Sequence, residues 1–240
     1  MPLPKISTPT YELELPSTGQ NIKYRPFLVR EEKLLVLALE SEDTKEITTA
    51  IKTVIKNCIQ TRGVKVETLP TFDIEYLFLN IRGKSVGEVI EVNLICPDDN
   101  DTTVKKEIAI DEIEIKRNDE HTNQIKIDDN LMMEMKYPSL EQFIKSNFDF
   151  SADANNMDQS FDLIVSCIDK IYNSEEVWVS SDVTKKELVD FLEQMNSTQF
   201  KQIEKFFETM PKLHYSTTIK NPNTKVESEV VLEGLSSFFG

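Results

Sequence analysis

The residues with the most recognisable chemistry lie in two proline-containing turns. The CPDD turn is Cys96–Asp99 and the NPNT turn is Asn221–Thr224, and each lies between two strand-like segments. A zinc ribbon has this shape, but it binds its metal through paired C-x2-C knuckles. Here Cys96 is the one cysteine of the two turns. Asp99 stands where the second knuckle ligand would be, and Asn221 and Thr224 stand at the corresponding positions of the other turn. Because one thiolate does not hold a structural zinc, we expect no metal, whether the turns are relics of zinc ribbons or generic hairpins.

Other catalytic and metal-binding patterns are absent from the sequence. His121 and His214 have no nearby Cys, Ser or acidic residue at catalytic spacing, so we expect satisfied or surface histidines. The acidic runs Asp98–Asp101 and Asp128–Asn130 lack the glycine that a calcium-binding EF-hand loop requires. No phosphate-binding loop, hydrolase elbow or zinc-protease motif occurs. The sequence therefore predicts no enzyme and no cofactor.

Composition excludes further classes of function. The formal net charge of −15 and the absence of a basic patch argue against nucleic acid as a partner. No apolar segment approaches the length of a membrane span, and the first residues lack the features of a signal peptide. The odd number of cysteines, three, argues against a disulfide framework and favours synthesis in a reducing compartment. We expect Cys58 and Cys167 to pack in the core.

Hydrophobic periodicity predicts an α+β fold. Apolar residues at three- and four-residue spacing predict helices, and alternation around turn residues predicts hairpins. The predicted helices are Val29–Ser41 (largely buried), Lys45–Gln60, Asp73–Lys84, a short one through 143–147, Asp158–Tyr172, one up to Glu193 and one up to Met210. The predicted hairpins are Tyr11–Phe27, Val89–Ile110 and Leu213–Leu232. Shorter strands fall within 113–137 and at Glu176–Val179, and 149–156 is predicted to be a loop.

These elements divide the chain into four predicted parts. Residues 1–86 form an N-terminal hairpin with a helical block, and residues 87–137 form a small antiparallel β region. Residues 138–212 form a second helical block, and residues 213–240 form a C-terminal hairpin with an aromatic tail. No βαβ rhythm occurs, which separates this plan from α/β folds.

Three segments carry a family resemblance. They are MPLPKISTPTYELELPSTGQNIKYRPFLVREEKLLVLALES, LPTFDIEYLFLNIRGKSVGEVIEVNLICP and the closing LEGLSSFF. Together they resemble the baseplate hub proteins of T4-like contractile-tailed bacteriophages. The resemblance covers the first 100 residues well and the last 25 loosely, whereas 118–210 matches only in being helical. Some relatives carry fuller cysteine pairs at the two turns, and this chain departs from that pattern.

The resemblance implies a virion or assembly component of the tail baseplate, made in the cytoplasm of the bacterial host. Its partners would be other hub, spike or tape-measure proteins. Members of this kind are hub subunits or factors that promote hub assembly, and a transient chaperone that leaves before the virion matures fits the sequence equally. A hub-embedded peptidoglycan hydrolase is a third hypothesis, although no pair of carboxylates is singled out.

Five residues are candidates for partner contacts. The N-terminal hairpin offers a strand edge for pairing, and Tyr24, Arg25 and Phe27 supply the aromatic and arginine contacts that dominate interfaces. The alternative is that Tyr24 and Phe27 close the core of the helical block. At the C-terminus, Phe238 and Phe239 either fold back onto the last hairpin or insert into a partner.

Overall fold

The computed structural model describes residues 6–140, 142 and 154–238. It divides the chain into two compact units. Unit 1 combines residues 1–116 with 212–240, and unit 2 comprises residues 117–211. No helix in the described ranges is long and apolar enough to cross a bilayer. The four-part division predicted from the sequence stays a prediction.

The described elements are mixed helices and small antiparallel sheets, as predicted. The α-helices are α1 (Val29–Glu40), α2 (Thr44–Cys58), α3 (Thr71–Val86), α4 (Ala154–Cys167), α5 (Lys185–Glu193) and α6 (Ser197–Thr209). In unit 1 the strands are β1 (Tyr11–Glu14), β2 (Asn21–Tyr24), β3 (Val89–Ile95), β4 (Thr103–Ala109), β5 (Glu114–Lys116), β10 (Lys212–Lys220) and β11 (Glu227–Glu233). In unit 2 they are β6 (Gln124–Lys126), β7 (Met132–Met135), β8 (Ile168–Tyr172) and β9 (Val177–Val179).

Unit 1 contains the three predicted hairpins and the first three helices. The pairs β1–β2 and β3–β4 form separate two-stranded sheets, and a third sheet has the order β11-β10-β5. The α3 helix carries much of the core, because its side chains Ile74, Leu77 and Ile81 are buried. The packing of α3 against β10 is how the C-terminal hairpin joins the N-terminal helices in one unit.

In the described part of unit 2, a four-stranded antiparallel sheet of order β6-β7-β8-β9 is accompanied by three helices, α4 to α6. Its core draws on Met133 and Met135 of the sheet and on Ile164, Ile203 and Phe206 of the helices. The predicted buried position of Cys58 and Cys167 is confirmed in units 1 and 2, respectively.

The predicted helix Asp158–Tyr172 is wrong over its last third. Helix α4 ends at Cys167, and Ile168–Tyr172 is strand β8, which pairs with β7 on one side and β9 on the other. Apolar residues at 168 and 171 fit a helix stripe as well as an irregular strand. The two neighbouring strands decide, because they supply backbone partners that the local pattern does not reveal.

Two further expectations need correction or lie outside the described residues. The loop predicted for 149–156 is wrong for 154–156, which begin α4, and 149–153 lie outside the described ranges. The predicted helix through 143–147 also lies outside the described residues. Its predicted start is seen, because Ser139 and Gln142 exchange side-chain-to-backbone hydrogen bonds.

Buried Glu75 makes the stability of unit 1 sensitive to pH. Burial raises its pKa to about 7, although the hydrogen bond it accepts from the Leu235 N–H acts in the opposite direction. The folded state therefore retains this proton while the unfolded chain, with a pKa of 4.5, has lost it. The contribution of protonated Glu75 to the stability of unit 1 is fully present below pH 4.5, and it is lost as the pH rises towards about 7.

We expect Glu75→Gln to stabilise unit 1 at pH 8 and to leave it nearly unchanged at pH 4.5. The amide keeps an acceptor for Leu235 and removes the buried charge. Urea unfolding followed by hydrogen exchange in α3, at both pH values, measures the effect. An unaltered pH dependence in the variant would contradict it.

Candidate protein-interaction site

Helix α1 starts on a buried ion-pair network. Glu31 accepts hydrogen bonds from the Arg25 guanidinium at 3.0 Å, from Nε of Arg30 at 2.7 Å and from the Leu28 N–H at 2.8 Å. Its side chain is 1% exposed. The carboxylate thus accepts a hydrogen bond from an N-terminal amide of the helix, and it links the first turn of α1 to Arg25, which follows β2.

The pKa of Glu31 reports the strength of this network. Burial alone would raise the pKa, but the hydrogen bonds from Arg25 and Leu28, followed by that from Arg30, outweigh it and lower the pKa to about 2. Glu31 is therefore ionised at neutral pH. The first turn of α1 has a defined position in unit 1 because the carboxylate contacts both the chain after β2 and the helix itself.

The rest of α1 corrects the prediction of a largely buried helix. Glu31 and Ala38 are the two buried residues of this helix. Val29, Leu37 and Leu39 are 78%, 54% and 59% exposed. Five exposed apolar residues, which lie on more than one side of the helix, make up what we call the α1 face: Val29, Leu34, Val36, Leu37 and Leu39. The periodicity correctly indicated a helix, but a helix that is apolar on most sides needs covering neighbours, which the described residues do not supply.

An open groove runs between α1 and α2 beside this face. Leu34, Leu37 and Ala38 contribute one side, and Ala50 and Thr53 contribute to the other. The groove has a volume of about 400 Å³. Two buried alanines bring its floor close to the backbone, so large apolar side chains from outside have room to enter.

One end of the groove is acidic. The turn from α1 into α2 and the first turn of α2 expose Glu40, Glu42, Asp43 and Glu46, which we call the acidic corner, with Lys45 as the one cation among residues 40–46. The Asp43 carboxylate also caps α2, because it accepts hydrogen bonds from the N–H groups of Lys45 and Glu46. The site is an apolar surface with negative charge at one end.

Of the five residues predicted as partner contacts, three come just before α1 in the sequence, and the other two are the phenylalanines at positions 238 and 239. Tyr24 is 2% exposed, Arg25 is buried in the ion-pair network, and Phe27 is half-buried. Burial of Tyr24 raises its pKa to about 12. These positions favour the alternative in which the segment closes the core, and a contact role for the three residues stays a prediction.

The structure describes one of the two C-terminal phenylalanines that were predicted to contact a partner. Phe238 ends a 3₁₀ turn and is 2% exposed, which favours folding back onto unit 1 over insertion into a partner. Phe239 lies outside the described residues. Its predicted role as an anchor stays a prediction.

The predicted docking edge of the N-terminal hairpin is partly used within unit 1. The outer edge of β2 bonds to the end of α2, through the Gln60 N–H to the Lys23 carbonyl at 2.7 Å and the Arg25 N–H to the Cys58 carbonyl at 3.0 Å. Among the described residues, β1 has β2 as its one strand neighbour. Any pairing with a partner would therefore use the outer edge of β1.

Comparison with known proteins decides the family. A family model described as T4 bacteriophage base plate protein matches residues 8–240. The chain belongs to this family. No curated protein and no solved structure matches it. The match extends through unit 2 of this baseplate protein, including 118–210, where the resemblance in the sequence was limited to helical character.

The two proline-containing turns of this baseplate protein meet in unit 1. The Asn221 side-chain amide donates to both carboxylate oxygens of Asp98, at 3.0 and 3.1 Å, and to Oδ2 of Asp99 at 2.8 Å. The Thr224 hydroxyl also donates to Asp98. These bonds lower the pKa of Asp98, with Thr224 contributing most and Asn221 next. A polar clamp thus joins the two turns. Asp99, Asn221 and Thr224 stand at positions that would be knuckle ligands in a zinc ribbon, whereas Asp98 does not.

We expect Asn221→Ala to open this clamp. Asn221 is buried, and its loss removes every direct amide contact to the two carboxylates. Hydrogen exchange at the turn ends of β4 and β11 should speed up about tenfold. The matched control is Asn223→Ala in the same turn, whose exposed side chain bonds to Thr102. Equal acceleration in both variants would contradict the clamp.

The histidines and acids of the baseplate protein do not assemble a metal site within the described residues. No group of three or more His, Cys, Asp or Glu side chains there is arranged to hold an ion. His121 is satisfied by Tyr137 Oη and Thr209 Oγ1, both at 2.9 Å, and it stacks on Tyr137. His214 lies 3.2 Å from Nζ of Lys116. His121 is therefore satisfied at both ring nitrogens, and Nε2 of His214 has one polar neighbour, which agrees with the expectation of satisfied or surface histidines.

Proposed function

We propose that this chain is a structural or assembly component of the baseplate hub, acting through protein–protein contacts and without catalysis of its own. The observation that carries the proposal is the α1 face. Soluble monomers rarely expose several large apolar residues on one helix, and such patches mark interaction sites. Family membership supports a place in the baseplate.

The proposal includes partners and location. The partners are other hub, spike or tape-measure proteins, and the chain enters the virion tail after assembly in the cytoplasm of the bacterial host. The ion-pair network at Glu31 supports this role, because it holds α1 in one orientation before a partner arrives.

The test is quantitative mass spectrometry of purified virions and of baseplates released from them. A hub component should be present at a constant ratio to the other hub proteins, and it should remain with the hub when tail tubes are removed. Deleting its gene should stop baseplate assembly, and supplying the chain in trans should restore it. Complete hubs in particles that lack the chain would contradict the proposal.

Two other outcomes identify the alternatives. Absence from virions combined with a requirement for hub assembly would indicate a transient chaperone. Clearing of peptidoglycan in a zymogram of the purified chain would contradict the non-enzymatic part of the proposal and indicate a hydrolase.

A further inference from the structure

The groove beside the α1 face has the shape of a helix-binding site. Leu34, Leu37 and Ala38 have the spacing of a single helix stripe, and across the groove Ala50 provides a second small residue. Small residues on a groove floor let another helix approach closely, with its own apolar side chains at three- and four-residue spacing between the walls.

The acidic corner selects the charge of the occupant. Glu46 lines the groove together with Lys45, and Glu40, Glu42 and Asp43 are exposed where α1 turns into α2. A partner with Lys or Arg side chains at that end would gain complementary contacts and faster association. The net charge of −15 opposes a second copy of this chain and an anionic membrane surface alike.

We infer that the α1 face and its groove bind an amphipathic helix of another baseplate protein, with apolar side chains in the groove and basic side chains at the acidic corner. The inference rests on the proposed function, because it names the kind of partner for the same surface. It extends that function by stating the secondary structure and the charge of the partner.

A fluorescent Leu–Lys peptide of 18 residues, with its leucines on one helical face, is the probe. Fluorescence anisotropy with the full chain at 0.15 M salt measures its dissociation constant. Leu37→Asp should weaken binding at least about tenfold, because it places a charge in the centre of the apolar contact. Glu40→Lys should weaken it about threefold and reduce its salt dependence.

Matched controls separate this site from general attraction to an acidic protein. Val89→Asp introduces the same charge at a residue of equal exposure, 54%, on the β3–β4 hairpin, and binding should not change. A scrambled peptide of the same composition should bind weakly to every variant. Leu37 and Glu40 are exposed, so folding should persist, and circular dichroism checks this.

The inference is overturned if Leu37→Asp and Val89→Asp bind the peptide equally, or if a Leu–Glu peptide binds as well as the Leu–Lys peptide. It is also overturned if light scattering shows a dimer that Leu37→Asp dissociates, since a second copy would then cover the face. Failure of the proposed function looks different: the peptide binds at α1, yet the chain is neither in the hub nor required for its assembly.

Discussion

Replacing Glu31 with alanine is expected to lower the free energy of unfolding of unit 1 by about 3–5 kcal/mol. The carboxylate accepts hydrogen bonds from Arg25, Arg30 and the Leu28 N–H. Without it, the buried Arg25 guanidinium keeps the Pro26 carbonyl, at 2.8 Å, as its oxygen acceptor. A buried charge left without its counter-ion costs more than the pair itself contributes, which is why the expected loss is large.

The position of the one tryptophan determines which signal reports on the unfolding of each unit. Trp178 lies in β9 of unit 2, so its fluorescence follows that unit, and hydrogen exchange in α1–α3 follows unit 1. Glu67→Ala is the control, because its ion pair with Lys56 is exposed on both sides and should contribute no resolvable stability. Similar losses in Glu31→Ala and Glu67→Ala would contradict the buried-pair argument.

The same network predicts an acid transition. The folded pKa of Glu31, about 2, lies below its unfolded value of 4.5, so its contribution is present above the unfolded value. That contribution is lost as the pH falls from about 4.5 towards about 2. Unfolding of the Glu31→Gln variant should therefore depend less on pH across this interval.

Replacing Phe206 with alanine is expected to cost unit 2 about 3–5 kcal/mol. Phe206 is buried in α6, and its ring lies 5.3 Å from that of His121, 5.7 Å from Tyr137 and 5.1 Å from Phe207. Removing the ring leaves a cavity at the centre of this cluster and takes away packing from His121 and Tyr137.

Chemical denaturation followed by Trp178 fluorescence measures this loss directly. Phe206→Leu should retain much of the stability, since it fills part of the cavity. Phe200→Ala should cost less than Phe206→Ala, because Phe200 is partly exposed and stacks on Phe161 at the edge of the core. A smaller loss for Phe206→Ala than for Phe200→Ala would place the centre of the core elsewhere.

Most individual elements could be predicted because their causes are local. Alternation in Val89–Ile95 and in 103–110 set the β3–β4 hairpin, and the turn residues between them set its reversal. The helix spacing of 45–60 similarly predicted α2 to within two residues at either end. These patterns indicate which backbone shape a segment takes, since the period of side chains follows from the geometry of the helix or strand.

Contacts between distant segments could not be predicted. The periodicity in Ile168–Tyr172 suited a helix, and the pairing with β7 and β9 made it a strand. The CPDD and NPNT turns were comparable as sequences, but nothing local indicated that Asn221 would bridge two carboxylates more than 120 residues away. Both outcomes depend on partners brought together by the whole unit.

The candidate site likewise combines features that the sequence predicted with features that depend on contacts in the folded unit. The sequence by itself determined that α1 is a helix, that the chain lacks recognisable catalytic motifs and that its family resemblance is to phage baseplate proteins. Only the tertiary structure decided that most of the apolar residues of α1 are exposed while Glu31 is buried. The physical reason is that amphipathicity states how much apolar surface a helix carries, whereas burial depends on which neighbours reach it.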